Sequence, residues 1–137
     1  MFTSPWQKYE WTIAGQSYTL DEIEHDILRP MGDARIHFAI NCAALSCPDL
    51  RDEPYRASIL DAQLDDQVRL TLKNPSKGFR KENGTVYVTK IMDWYSEDFD
   101  KGDVKSWLSR YIDTPLDQDT RMQFMNYHWP LNKTKQQ

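Results

Sequence analysis

No apolar run in the sequence approaches the roughly 18 residues needed to cross a bilayer, and no basic-then-apolar opening marks a secretory leader. A membrane-spanning role is thereby excluded. The chain as written is expected in the cytoplasm, or in the periplasm or outside the cell if a leader was removed. Positive charge is also short: 17 Lys and Arg face 21 Asp and Glu, a net charge of −4. That balance leaves no basic footprint for nucleic acid. No nucleotide-binding signal is present, and no cofactor is expected. Cysteine is limited to Cys42 and Cys47, whose C-x4-C spacing matches neither the redox C-x-x-C motif nor a zinc knuckle. A reducing compartment leaves both as thiols, whereas an exporting cell can join them.

What the chain does hold is aromatic mass. Five Trp and seven Tyr in 137 residues argue against disorder, because each ring buries a large area. Repeats, low-complexity tracts and linkers are absent. A single domain over residues 1–137 is expected, with its core in 6–132 and a frayed tail at 133–137.

The pattern predicts elements in order. A hairpin joins Trp11-Thr12-Ile13 to Gln16-Ser17-Tyr18 through Ala14-Gly15. Thr19 and Glu22 form a capping box for a helix over Leu20–Leu28, stopped by Pro30 and Gly32. Alternation in residues 35–41 predicts a strand with Ile36, Phe38 and Ile40 on one face and Arg35, His37 and Asn41 on the other. A long helix from Arg56 to Leu72 carries Leu60, Leu64, Val68 and Leu72 on one stripe, with Ile59 and Leu70 nearly opposite. Asn83-Gly84 marks a second hairpin over Phe79–Val88. A short helix at Thr89–Tyr95, an amphipathic helix opening near Asp103 and a last strand near Phe124–Trp129 complete the set. The expected fold is α+β. Its sheet is small and mostly antiparallel, made of two hairpins plus the central strand near 35–41, and three to four helices pack it.

Residues with chemistry concentrate between Glu24 and Cys47. At helical spacing Glu24 falls about 40° from Leu20, inside the apolar arc of its helix. A carboxylate placed there needs a partner. Either Arg29 or Arg35 pairs with it structurally, or it is a catalytic or metal-binding group. Cys42 follows the expected strand directly. Cys47 precedes Pro48, a residue favoured at the first turn of a helix, whose dipole would favour thiolate. A thiol nucleophile needs a base, for which His37, His25 and His128 are the candidates. The set His25, His37, Cys42 and Cys47 also offers zinc-type donors. Trp94-Tyr95 and Trp107/Tyr111 read first as core.

Two stretches, Leu20-Asp21-Glu22-Ile23-Glu24-His25-Asp26-Ile27-Leu28-Arg29 and Asp33-Ala34-Arg35-Ile36-His37-Phe38-Ala39-Ile40-Asn41-Cys42-Ala43-Ala44-Leu45-Ser46-Cys47-Pro48, resemble the signature of the domain-of-unknown-function 547 family. Leu60–Leu64, Trp94-Tyr95 with Asp98-Phe99, and Tyr127–Asn132 are similar to its later blocks, so the resemblance runs from Trp6 to Asn132. It implies a domain found in bacteria, often with export signals, and in plants beside a coiled-coil region, with no activity attached. Two departures stand out. The family's upstream helical segment has no counterpart before Trp6, and His128 stands where the family more often has Asp. The first departure leads us to expect an apolar surface covered by a second copy of the chain.

Two classes of function fit these residues. One is a small binding or interaction module that self-associates or takes a protein partner. The other is a thiol-dependent hydrolase or acyl transferase in which Cys42 or Cys47 attacks and a histidine serves as base, His37 with His25 and His128 as alternatives, with Glu24 a further catalytic candidate.

Overall fold

The turn residues set the first element. Ala14 (φ 52°) and Gly15 (φ 83°) both adopt positive φ, as a two-residue hairpin with the right twist demands. They join β1 (Glu10–Ile13) to β2 (Gln16–Thr19) in antiparallel register, Trp11 opposite Tyr18. A short helix, α1 (Pro5–Lys8), precedes them. The structure, a computed structural model, describes residues 4–132.

Thr19 and Glu22 form the expected capping box: the Thr19 hydroxyl accepts from the Glu22 amide, and the Glu22 carboxylate accepts from the Thr19 amide at 2.7 Å. The helix they open, α2 (Leu20–Glu22), does not continue in α register. It widens into a π-helical stretch over Ile23–Leu28, where the Arg29 amide reaches the Glu24 carbonyl, and tightens into a 3-10 turn over Arg29–Met31. Gly32, in the left-handed region at φ 76°, ends it.

The expected central strand near 35–41 is a correction. Residues Ile36–Ala39 form a short helix, α3, with Ile36, His37 and Phe38 all buried. The Asp33 carboxylate accepts from the Arg35 amide at 3.0 Å, which holds the turn that starts it. Backbone amides of Ile36, His37 and Phe38 then bond three residues back. Alternation over so few residues fits a buried helical turn as well as a strand, and the Asp33 turn ahead of it together with burial of Ile36, His37 and Phe38 favours the helix.

A 3-10 turn at Ala57–Ile59 leads into α4 (Leu60–Lys73), which buries Leu64, Val68, Thr71 and Leu72. Leu60, expected on that stripe, is instead exposed, as are Ile59 and Leu70 opposite it. The second hairpin pairs β3 (Phe79–Glu82) with β4 (Thr85–Val88) around Asn83 (φ 49°) and Gly84 (φ 75°). Gly78 lets this hairpin approach α4, since a Cβ there would lie 1.9 Å from the Thr71 carbonyl oxygen. After α5 (Ile91–Trp94) and α6 (Val104–Ser109), capped by Asp103, strand β5 (Arg121–Phe124) adds to β4 in parallel. The sheets are therefore separate, one of two antiparallel strands and one of three in mixed order. The fold is α+β.

The core lies where α3, α4, α5, α6 and β4 meet. Phe38 stacks on Trp107 with centroids 5.8 Å apart and meets Phe99 edge-on, while Val68, Leu72, Val88, Met92 and Leu108 fill the remaining space. Docking Phe38 fixes its neighbours in sequence, His37 before it and the Cys42 loop after it. Among the described residues no helix is long and apolar enough to cross a membrane.

Candidate functional site

The segment leaving α3 is pinned from both ends. The Asn41 side chain donates to the Pro48 carbonyl and accepts from the Ala43 amide, each at 2.8 Å. Ala43 sits at φ 61°, a conformation that costs a non-glycine residue energy and persists only when its surroundings impose it. The C-terminal segment supplies that constraint. The Asn132 amide donates to the Ala43 carbonyl, the Leu45 amide to Pro130, and the Ser46 amide to His128. An isolated bridge pairs Ala44 with Leu131.

Cys42 is thus held half-buried, and its sulfur lies 2.9 Å from the Tyr127 hydroxyl. Cys47 is buried beneath it: its sulfur accepts from the Cys42 amide at 2.8 Å and faces the Ile40 carbonyl at 3.8 Å. Both thiols are free. A hydrogen bond from the Cys47 side chain, reinforced by Tyr127, holds the Cys42 thiol well below its ordinary pKa. The same hydrogen bond, together with burial, pushes Cys47 up. Burial and the bond to Cys42 likewise raise Tyr127, which stays a donor. Of the pair, Cys42, the more exposed sulfur, is the one disposed to ionise first.

The second group centres on His37. Its ring stacks on Tyr95 at 4.1 Å, and Nε2 lies 2.8 Å from Asp98. Burial lowers the His37 pKa, against the pull of Asp98, and so favours the neutral ring. Its Nε2–H donates to Asp98, and the lone pair is left on Nδ1. The hydrogen bond from Arg29 holds Asp98 below the usual carboxylate range. Arg29 also spans Tyr95 by cation–π contact and donates to His25 Nδ1 at 3.3 Å. Tyr95 in turn donates to Glu24 at 3.0 Å, and burial, then Glu24, push its hydroxyl up to about 12.

These groups share one cavity of about 420 Å³, on whose wall Glu24, His25, His37, Cys42 and Cys47 all lie. Aromatic side chains build much of the rest: Trp6, Trp94, Tyr95, Tyr127 and Trp129, with the last ring stacked on Trp94 at 5.6 Å.

Several expectations are corrected here. Glu24 reaches Tyr95; Arg29 is taken by Asp98, and Arg35 is bound by Asp33, Asp61 and Asp65. No helix begins at Pro48, so Cys47 is no helix cap. Cys42 follows α3 and two residues outside it, Ile40 and Asn41, rather than a strand. His128 contributes its backbone to the clamp, while its side chain borders a separate recess with Ser46 and Lys77. No hydrogen bond joins either thiol to a histidine among the described residues. Nor do three metal-type donors from His25, His37, Cys42, Cys47 or elsewhere gather among them.

Sequence reasoning missed Asp98 and Tyr127 as members of the site and named Arg29 only as a partner for Glu24; Tyr95 does pack against the core as read, while Trp94 is exposed and both line the cavity. A signal for Tyr127 existed: in extended backbone, Tyr127 and Trp129 share one side and His128 takes the other.

A family model described as "Protein of unknown function, DUF547" matches residues 2–70. That span holds both thiols, Glu24, His25 and His37, but stops short of Trp94–Phe99 and Tyr127–Asn132. No curated protein and no solved structure matches the chain.

Proposed function

Because the chain belongs to the DUF547 family, whose function is unknown, we propose from the cavity itself that it is a thiol-dependent acyl hydrolase or acyl transferase with Cys42 as nucleophile. One observation carries the reading: the Cys42 sulfur, 2.9 Å from the Tyr127 hydroxyl, faces a cavity that it shares with the Asp98-held imidazole of His37. Attack needs no separate base, because the depressed pKa of Cys42 supplies the anion. A new S–C bond forms at the acyl carbonyl, and the carbonyl π pair moves onto oxygen. Once acylated, the sulfur no longer accepts from Tyr127, whose O–H turns to the oxyanion. Collapse breaks the bond to the leaving oxygen or nitrogen, which takes a proton from solvent. Water, or an acceptor alcohol or amine, then attacks the thioester. His37 Nδ1 takes the proton of that nucleophile, and the thiolate leaves. His37 is a base for the second half of the cycle, and Asp98 is its positioning residue.

A p-nitrophenyl acyl ester tests this. Release of about one equivalent of nitrophenolate per chain is expected as a burst, with the acyl group found on Cys42 by mass spectrometry. Cys42→Ala loses the burst and Cys47→Ser keeps it. An adduct on any other residue, or none at all, contradicts the assignment.

A second reading, a self-associating module, draws on the N-terminal hairpin. Every residue of β1 is exposed, Trp11 and Ile13 among them. It predicts a mass near twice 16.2 kDa by light scattering at micromolar concentration. A monomer at that concentration removes it.

A further inference from the structure

The cavity is selective in its charge. Its wall carries two carboxylates, Asp21 and Glu24, and no Lys or Arg side chain. Glu24 is half-buried, accepts one hydrogen bond from Tyr95, and makes no ion pair among the described residues. Arg29, whose charge also reaches Glu24, is bound by Asp98 and His25 and lies across the ring of Tyr95. Around the carboxylates stand the faces and edges of five aromatic side chains. Carboxylate beside aromatic ring is the environment that recognises an organic cation, by ion pairing at one end and cation–π attraction at the other. An anionic acyl group would meet two like charges there and the thiolate as well.

We propose that the acyl substrate of Cys42 carries a cationic amine, received by Glu24 against the aromatic wall. This assignment rests on the thiol-nucleophile reading and names its substrate class. Asp21, which lies 3.9 Å from His25 Nε2, stands on the same wall, and Tyr95 holds the Glu24 carboxylate.

Three methanethiosulfonate reagents of different charge separate the two ideas. Each transfers its thiol to the protein: the Cys42 thiolate attacks the sulfenyl sulfur, a mixed disulfide forms and methanesulfinate leaves. The probes are the trimethylammonioethyl reagent, the sulfonatoethyl reagent and the neutral methyl reagent. In the native protein the cationic-to-anionic rate ratio at Cys42 should exceed that of the urea-unfolded chain by at least about tenfold, a typical gain from a focused field. Glu24→Gln, which keeps an oxygen for Tyr95, should remove most of that excess while leaving the neutral reagent's rate in place. Asp119→Asn, an equal charge change at an exposed loop residue, should leave the ratio as it was. A native ratio equal to the unfolded one, or one reduced as much by Asp119→Asn as by Glu24→Gln, overturns the cationic substrate. If that happens while the neutral reagent still reacts fast, the nucleophile stands and only the substrate class falls. If all three react no faster than with the unfolded chain, the nucleophile falls and the substrate class falls with it.

Discussion

Iodoacetamide added to the native protein at mildly acidic pH is expected to alkylate Cys42 and leave Cys47 untouched. An ordinary thiol, with a pKa of about 8.5, is almost wholly protonated there and reacts slowly. Cys42 differs because its anion is met by the Cys47 side chain and the Tyr127 hydroxyl. Its rate should be flat through neutral pH, where the ion is fully formed, and fall only as pH drops through the depressed pKa. The unfolded chain should show the opposite profile, rising toward alkaline pH. Tyr127→Phe removes one hydrogen bond to a charged acceptor, of order 1.5–3 kcal/mol, so the midpoint should climb by about 1–2 pH units. A midpoint that ignores Tyr127 would break the link between that residue and the thiol. The same linkage predicts a stability effect. The folded pKa of Cys42 lies below its unfolded value, so its anion contributes fully above the ordinary thiol range, and the contribution is lost as pH falls toward the folded pKa.

Phe38→Ala should be the most damaging single truncation among the core aromatics for the site as well as the fold. Phe38 is fully buried between Trp107 and Phe99, and such a truncation typically costs about 3–5 kcal/mol. Total stabilities of small domains are about 5–15 kcal/mol, so the urea midpoint should fall steeply. A helix as short as α3 has almost no stability of its own and holds its form through this docking. His37 and the Cys42 loop depend on it directly. Fast Cys42 labelling should therefore slow in urea concentrations below the main unfolding transition. A cost near that of a surface change, within about 0.5 kcal/mol, would mean that α3 is not anchored as described.

Much of the scaffold was legible because local rules governed it. Asn83-Gly84 and Ala14-Gly15 can only be tight turns, Thr19 with Glu22 can only open a helix, and the stripe from Leu64 to Leu72 has one buried side. The reading failed where tertiary contacts overrode periodicity. Residues 35–41 alternate like a strand, yet the Asp33 turn and the docking of Phe38 fold Ile36–Ala39 as a helix. Spacing at about 100° per residue placed Glu24 among Leu20, Ile23 and Leu28, which do line the cavity with it, but the partner it meets is Tyr95 rather than an arginine. The thiols, Glu24, His25 and His37 were identifiable because they lie within one short stretch of chain. Asp98 and Tyr127 were not, since they reach the site from 61 and 85 residues away, and no local pattern records a pairing at that distance.

The most direct measurement is the ultraviolet absorbance of the thiolate in the native protein, followed from acid to alkaline pH in the parent, Cys42→Ser and Cys47→Ser chains. A step well below the ordinary thiol range, present in the parent and lost in Cys42→Ser, is the predicted result. Absorbance that rises only in the ordinary thiol range, or an early step that survives Cys42→Ser, would contradict a thiolate poised at Cys42.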